Sequence, residues 1–262
     1  MSGLDVLTMG ETMGTIRAEG ILGVGPEPRV SVAGAESNVA IGLARLGHRA
    51  GWMSVLGADA IGDLIVRTLA AEQVDLSAVR REPGGASGIL VSQQLPMGRA
   101  RVDYHRTQSA FTMIDAGDVP AALAIQPKIV HLSGITPALG PGPLAAALAL
   151  AKQARSRGVL VSLDVNYRAR LWDRAQAGRI LSDLAQHAHI VFGDPGELAL
   201  LTGGKDPDTA ALLNRGIEQV VTKLGAHGAR LVTVDTDTTR PALRVEVVDP
   251  IGAGDAFVAG YL

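Results

Sequence analysis

Apolar segments of strand length alternate with segments of helical periodicity along most of this 262-residue chain. Residues 4–9 have the composition of a buried strand. The apolar residues of 36–46 recur at helical spacing up to Gly47, which suits the end of a helix. Further strands are predicted at 50–55, 128–132, 159–163, 189–192 and 219–222, and further helices at 61–72, 143–157, 174–186 and 195–201. Because such alternation gives a mostly parallel sheet with helices on both faces, we predict an α/β fold.

Two segments interrupt the alternation. Residues 12–32 are rich in Gly and Pro, and within 88–106 two strand-like runs flank Pro96, Met97 and Gly98. Such an appendage is well placed to cover a site as a lid. A surface hairpin without a function, or a surface that pairs with a second subunit, would have the same pattern. Since nothing suggests a linker or internal repeats, we expect one domain over 1–262.

Composition restricts the partners. The 3% of aromatic residues and the net charge of −2 argue against nucleic acid, which needs stacking surfaces or a basic face. The chain has no cysteine, so disulfides, thiolate metal sites and a cysteine nucleophile are excluded. No signal-peptide pattern and no long uninterrupted apolar run are present. We expect a cytoplasmic protein that binds neither membranes nor nucleic acid.

The most informative motif is the glycine-spaced turn Gly252-Ala253-Gly254, followed by Asp255 and an apolar helix. Glycines let successive amides point one way, and amides at a helix start carry partial positive charge, so the turn suits an anion. Asp255 would repel an anion but could accept a proton from a hydroxyl that attacks a phosphate. The alternative is that Asp255 only stabilises the helix dipole and that the glycines only close a turn.

Neither common nucleotide motif is complete. The turn lacks the third glycine of a dinucleotide fingerprint, and Gly203-Gly204-Lys205 lacks the upstream glycine of a Walker loop. Polar residues nevertheless follow successive predicted strands, which is where open parallel sheets bind ligands. These residues are Asp59, Ser133, Asp164, Asp194, Lys223 and Asp255.

The chain resembles the ribokinase-like sugar kinases, the PfkB family of carbohydrate kinases. The resemblance rests on residues 34–47 with 57–62, on 249–255, and on an N-x-x-E-like element at 194–197. It implies a ribokinase-like three-layer α/β/α core with a small β-sheet lid. It also implies transfer of the ATP γ-phosphate to a sugar hydroxyl with Mg²⁺, with Asp255 as the base and Gly252, Ala253 and Gly254 as the anion hole.

Within the family, residues 10–13, 101–106, 164–168 and 222–225 look most like 2-keto-3-deoxygluconate kinases. Arg106 and Arg168 could bind a substrate carboxylate with paired donors, and Tyr104 could hold a hydroxyl or keto oxygen. By the same matching, Gly34 and Asn38 would contact the sugar. The alternative is a kinase of a neutral sugar such as ribose or fructose, or of a nucleoside.

Each of these side chains also has a structural alternative. Arg106 could be a solvated charge on a hairpin edge, and Arg168 could pair with Asp164 or with a neighbouring acid. Asn38 could cap a helix start, and His131 suits a buried core position better than a ligand role.

The resemblance places a second group near the nucleotide: Asp194, Thr222, Lys223 and Gly225, together with Gly252 and Gly254. Glu197 would order magnesium-bound water, although a first-turn acid would have the same position. Position 194 holds Asp where the family usually has Asn, which leaves the role of this residue open.

The chain stops at Leu262, shortly after the helix that Asp255 opens, whereas family members normally continue. We expect that the C-terminal part of the family fold is missing. The alternative is a shortened homologue with weakened ATP binding, and a further alternative is a non-catalytic sugar-binding homologue. The resemblance also implies a homodimer or a higher homo-oligomer, with pairing through the lid strands.

Overall fold

Two separate β-sheets and eight α-helices organise the chain in the computed structural model, which describes residues 3–95 and 99–262. The strands are β1 (Val6–Met9), β2 (Met13–Glu19), β3 (Arg29–Ala33), β4 (Ala50–Gly57), β5 (Val79–Glu82), β6 (Ile89–Leu95), β7 (Arg99–His105), β8 (Ile129–Ser133), β9 (Leu160–Asp164), β10 (Ile190–Gly193), β11 (Gln219–Lys223), β12 (Ala229–Val232) and β13 (Asp237–Arg240). The helices are α1 (Ala35–Arg45), α2 (Ala60–Ala71), α3 (Val119–Leu123), α4 (Pro141–Ser156), α5 (Arg174–Ala185), α6 (Pro195–Thr202), α7 (Thr209–Asn214) and α8 (Ala253–Tyr261). Within the described residues, none of these helices is long and apolar enough to cross a bilayer.

The larger sheet has nine strands in the order β13-β12-β11-β10-β9-β8-β1-β4-β5. The strands from β11 to β5 pair in parallel, and β12 and β13 add an antiparallel edge. This sheet confirms the predicted α/β class with mostly parallel strands. It also brings the carboxyl ends of β1, β8, β9, β10 and β11 to one edge, where ligands bind in such folds.

Side chains on the two faces of this sheet pack into separate apolar clusters. Val191 lies in the cluster under α4 and α5, whereas its neighbour Phe192 lies in the cluster under α1 and α8. Successive residues of a strand point to opposite faces, so a strand buried on both sides must be apolar throughout. The continuous apolar runs of the sequence therefore specify a sheet between two helical layers.

The smaller sheet has the order β3-β2-β6-β7 and is built from the two segments that interrupt the alternation. β2 pairs in parallel with β6, while β3 and β7 pair antiparallel on the outside. Arg17 on β2 donates from Nη1 to Asp249 Oδ2 at 3.0 Å, so this sheet contacts the loop before α8. The predicted turn at Pro96, Met97 and Gly98 lies outside the described residues. Its use as a lid stays a prediction.

Helix ends follow the local sequence. Gly47 adopts φ +90° just after α1, a left-handed conformation that glycine adopts without strain. Asp59 caps α2 by accepting from the Gly62 amide at 2.7 Å, and its other oxygen accepts from the Ser87 amide at 2.7 Å. Asp59 thus caps α2 and anchors the chain just before the second excursion. Among the polar residues that follow predicted strands, it has a structural role.

Candidate active site

The turn before α8 has the form of an anion site. Gly252 adopts φ +77°, the left-handed region, and directly precedes the helix that begins at Ala253. The amides of Gly254 and Asp255 lie in the first turn, where an α-helix offers no acceptor for them. Ala253 and Gly254 are exposed. Unpaired, accessible amides at a helix start favour binding of a negatively charged group.

Asp255 is held beside these amides by Asn38. Asn38 Nδ2 on α1 donates to Asp255 Oδ2 at 2.7 Å. Burial raises the pKa of Asp255, whereas the Asn38 hydrogen bond and the charges of Arg168 and Lys223 act to lower it. Because the N-cap of α1 is Gly34, the alternative in which Asn38 caps that helix is wrong. Asn38 instead orients the carboxylate.

Close packing of α1 on α8 makes this contact possible. A Cβ built on Gly42 of α1 would lie 2.7 Å from the Ala259 Cβ, so the helices approach at a distance that only glycine permits. The two helices bring together signatures that lie 217 residues apart in the sequence. Their apposition forms the central part of the site.

Lys223 and Asp164 form a buried ion pair beside the same turn. Lys223 Nζ donates to Asp164 Oδ1 at 2.7 Å and to Oδ2 at 2.8 Å, and the Asp164 side chain is 3% exposed. Burial raises the pKa of Asp164, and the Lys223 ammonium opposes that shift. The interpretation in which Asp164 pairs with Arg168 is therefore wrong, because Lys223 occupies the carboxylate.

Arg168 is exposed and, in the described part of the chain, forms no ion pair. Its charge nevertheless acts to lower the pKa of Asp255, which burial raises. The preceding loop is fixed at Asn166, with φ +37°, and at Tyr167, whose amide donates to Glu197 Oε1 at 2.9 Å. Arg168 thus projects from an anchored loop with its donors available.

Asp194 and Glu197 cap the start of α6 reciprocally. The Glu197 amide donates to Asp194 Oδ1 at 2.8 Å, and the Asp194 amide donates to Glu197 Oε2 at 2.9 Å. Burial raises the pKa of Glu197. No group of three or more potential metal ligands occurs among the described residues. Mg²⁺ is commonly bound through one or two carboxylates together with phosphate and water, so these acids fit a water-mediated role.

The remaining nucleotide candidates lie at the same edge. Thr222 is buried on β11 opposite Gly193, and Gly225 begins the following turn with φ +57°. A Cβ built on Gly225 would meet no atom within 4 Å, so this turn is open. The β12–β13 hairpin that follows was not predicted.

Arg106 lies on the substrate side but is not a solvated charge. Its Nη2 contacts Glu11 Oε2, and the two side chains are 13% and 2% exposed. Glu11 also accepts a hydrogen bond from Ser109 Oγ at 2.5 Å. Burial raises the pKa of Glu11, and Arg106 opposes the shift. Arg106 Nε is buried and has no partner in the described part of the chain.

Tyr104 and Gly34 lie nearby in different settings. Tyr104 on β7 is 47% exposed. A Cβ built on Gly34 would lie 2.5 Å from the Glu11 carbonyl oxygen, so this position requires glycine. No hydrogen bond or ion pair joins Tyr104 or Arg106 to Asp255 among the described residues. The structure brings together Asp255, Asn38, Lys223 and the α8 turn, whereas Arg106 contacts Glu11.

Glu36 is a site residue that the sequence motifs contain but that received no role. It is 1% exposed, and its Oε1 accepts from Ser133 Oγ at 2.5 Å and from Thr136 Oγ1 at 3.0 Å. Burial raises its pKa to about 7, and the charge of Asp255 contributes to the rise. A Cβ on Gly10 would lie 2.1 Å from the Glu36 Cδ, so that glycine makes room for the carboxyl. In the sequence, the signal for this role was an acidic residue on the face of α1 that packs against the core.

His131 has the core role expected of it. Its Nδ1 lies 3.0 Å from Ser162 Oγ, and burial lowers its pKa to about 3.

A parallel sheet whose carboxyl edge joins a positioned carboxylate to free helix-start amides has the arrangement of a phosphotransferase for small hydroxyl-bearing substrates. The chain belongs to the pfkB family of carbohydrate kinases, whose family model matches residues 5–262. The 2-dehydro-3-deoxygluconokinase of Bacillus subtilis (strain 168) is 36% identical over 266 residues, covering 99% of this chain and 82% of that protein.

Solved structures agree with this assignment. A PfkB protein from Polaromonas sp. JS666 has a TM-score of 0.88 and 34% identity, and the match covers 98% of this chain and 86% of that one. A ribokinase II from E. coli, solved in complex with ATP and Mg²⁺, has a TM-score of 0.87 and 25% identity, with coverage of 98% and 84%.

Proposed function

We propose that this kinase transfers the γ-phosphoryl group of ATP to a hydroxyl of 2-keto-3-deoxygluconate. The observation that carries the proposal is the Asp255 carboxylate, which Asn38 holds at 2.7 Å beside the free amides that begin α8. The similarity to the B. subtilis 2-dehydro-3-deoxygluconokinase supports this sugar acid, and the ATP–Mg²⁺ complex of the E. coli relative supports the phosphoryl donor.

Asp255 acts as the base. As a carboxylate it accepts the proton of the attacking hydroxyl, and the Asn38 amide fixes which oxygen faces the substrate. The turn formed by Gly252, Ala253 and Gly254 binds the negative charge of the phosphoryl group through its amides, of which the Ala253 amide is shared with the Pro250 carbonyl oxygen at 3.2 Å. Glu197 would hold Mg²⁺ through water, and the ion would supply positive charge to the phosphate oxygens.

Residues at the ends of β10 and β11 hold the nucleotide. Asp194, Thr222, Lys223 and Gly225 lie along this edge of the sheet, and Gly225 leaves space for a ligand. Glu197 orders metal-bound water through lone pairs that its backbone contacts leave free.

Arg168 binds the substrate carboxylate. It is exposed and has no ion pair in the described part of the chain. Its planar guanidinium can donate two parallel hydrogen bonds to a carboxylate. Arg106, whose side chain is 13% exposed, adds guanidinium donors, Tyr104 adds a hydroxyl, and Gly34 contacts the sugar. The acid group of the substrate thus distinguishes it from a neutral sugar.

One observation favours a neutral sugar as a second candidate. Glu11 neutralises Arg106, so the Arg106–Glu11 pair offers hydrogen bonds without net charge. Replacing Arg168 by Ala separates the two candidates. For an acidic substrate we expect kcat/KM to fall by about 10²-fold, because a charge-assisted contact contributes roughly 1.5–3 kcal/mol. Arg170→Ala, an exposed arginine of the same loop, is the matched control.

The test is ADP formation with a panel of 2-keto-3-deoxygluconate, 2-keto-3-deoxygalactonate, ribose, fructose and adenosine. Turnover on a keto-deoxy acid that is lost in Asp255→Asn would support both the reaction and the base, since a positioned base is worth about 10²–10⁴-fold. Turnover on ribose or fructose alone would show that the substrate is a neutral sugar and not 2-keto-3-deoxygluconate. Absence of phosphate transfer to every acceptor would refute the proposal.

We also propose that the protein works in the cytoplasm as a homodimer paired through its smaller sheet. The outer strand β3 is largely exposed, and Val30 on it is 56% exposed. Light scattering of the parent protein and of a Val30→Lys variant tests the dimer. A dimeric parent and a monomeric variant would support the proposal, and a monomeric parent would refute it.

A further inference from the structure

Lys223 stands within reach of both Asp164 and the turn that begins α8. Its ammonium donates to both oxygens of Asp164, at 2.7 and 2.8 Å. A Cβ built on Gly254 would lie 3.9 Å from the same nitrogen. The cation is therefore adjacent to the amides that were identified as the anion site.

The ion pair spans two strand spacings. Asp164 ends β9, Lys223 ends β11, and β10 lies between them. Asp164 is opposite Phe192, which in turn is opposite Val221, so Lys223 lies two residues further along the strand direction. Strands are spaced by about 4.8 Å, and only a long side chain that crosses β10 can close this gap. Lys223 thus lies across the sheet edge, directly below the start of α8.

One donor of Lys223 stays available. An ammonium group has three N–H donors, and Asp164 takes two of them. No further hydrogen bond of Nζ occurs in the described part of the chain, and the side chain is 20% exposed. An oxygen bound at the amides of Gly254 and Asp255 would meet the third N–H.

We propose that Lys223 donates this third N–H to the phosphoryl group in transit, and that Asp164 is the positioning residue that holds the ammonium there; this rests on the proposed function. In the transfer the acceptor oxygen bonds to the γ-phosphorus, and the bond from that phosphorus to the bridging oxygen of the departing ADP breaks. The acceptor proton passes to Asp255. Lys223 keeps its protons and stabilises negative charge on the phosphoryl oxygens.

If the Lys223–Asp164 ion pair is purely structural, substitution of its partners should affect stability alone. Removing one partner of a buried pair leaves the other charge unpaired and destabilises the fold, but replacing both partners by neutral groups is often tolerated. Lys223→Met, Asp164→Asn and the combined double variant therefore separate the two roles. Urea unfolding of each variant shows which of them are folded under assay conditions.

We expect Lys223→Met to lower kcat by about 10²–10³-fold, the usual effect of removing one donor to a developing charge. The double variant should fold but stay as inactive as Lys223→Met. Asp164→Asn should lose less, because Lys223 keeps its charge, and Lys223→Arg should recover part of the activity. Restored turnover in the double variant would overturn the proposal.

A binding measurement makes the result independent of the sugar. Magnesium-ADP with aluminium fluoride imitates the planar phosphoryl group, and calorimetry should show about 10²-fold weaker binding to Lys223→Met, with a smaller change for magnesium-ATP. If the parent phosphorylates no sugar but this difference is present, the proposed function fails and the role of Lys223 stands. If Lys223→Met retains turnover on a sugar acid, the role of Lys223 fails and the proposed function stands.

Discussion

Glu36 gives the protein a pH-dependent stability that one substitution should remove. Glu36 is 1% exposed, its carboxyl accepts from two hydroxyl groups, and no ion pair to it occurs among the described residues; burial raises its pKa from 4.5 to about 7. At 1.36 kcal/mol per pKa unit, this difference corresponds to roughly 3 kcal/mol. The unfolded carboxyl loses its proton near its ordinary pKa, whereas the native one keeps it to about pH 7. The native state therefore binds more protons over this interval, and stability falls as the pH rises through it.

Glu36→Gln should remove this dependence. Glutamine keeps an oxygen that can accept from Ser133 and Thr136, so the variant should match the parent at low pH and exceed it by roughly 3 kcal/mol at pH 8. The measurement is urea unfolding followed by circular dichroism between pH 4.5 and 8. Glu72→Gln is the control: Arg45 lowers the pKa of Glu72, so the stability from that pair is lost as the pH falls. Parallel stability curves for the parent and Glu36→Gln would refute the reasoning.

The same substitution should leave the acid limb of the kcat/KM profile in place. The charge of Asp255 contributes to the raised pKa of Glu36, so Asp255 is already ionised when Glu36 loses its proton near pH 7. Glu36 is therefore neutral over the acid limb, as glutamine is at every pH. A limb that moves in Glu36→Gln would show that the two carboxyls titrate in the opposite order.

Asn38→Ala removes the donor to Asp255, so the pKa of the base should rise and the acid limb of the pH–rate profile should move upward; the loss of one charge-assisted hydrogen bond is worth roughly 1.5–3 kcal/mol. Gly252→Ala places a Cβ at φ +77°, which costs about 1–2 kcal/mol of stability and should weaken magnesium-ATP binding in calorimetry. Glu11→Gln removes the charge that matches Arg106 and should destabilise the protein by about 3–5 kcal/mol in urea unfolding, with full stability regained in the Glu11→Gln, Arg106→Met double variant.

Local patterns predicted the elements of the core because those patterns are set by neighbouring residues. Apolar runs predicted the strands that are buried on both faces, and helical spacing up to Gly47 predicted the first helix. The predicted segments agree with the bounds of β1, α1, β4 and α2 to within two residues. The two excursions were located as well. The antiparallel strands β12 and β13 were missed, since short polar edge strands such as Asp237–Arg240 lack the apolar signal.

Sequence reasoning could propose site residues where a motif is contiguous, and it could not find contacts that depend on strand register. Asp255 and its glycine turn are adjacent in sequence, so their chemistry could be inferred directly. The partner of Asp164 lies 59 residues away across two strands, and hydroxyl donors to Glu36 lie 97 and 100 residues away. Arg168 was an equally plausible partner for Asp164 on composition alone. Only the strand order decides between the two cations.

Two acids at the carboxyl edge are paired with cations before any ligand arrives, and this has a consequence for the proposed base. Glu11 pairs with Arg106, and Asp164 pairs with Lys223, so neither acid adds uncompensated negative charge to the substrate pocket. Among the cations of the described site, Arg168 alone is without an ion pair. A bound phosphate would raise the pKa of Asp255 further, since like charges disfavour ionisation. A substrate carboxylate at Arg168 would add to the same effect by screening the cation that lowers this pKa. The proposed base would therefore become a stronger proton acceptor as both substrates bind, while the hydrogen bond from Asn38 favours its ionised form.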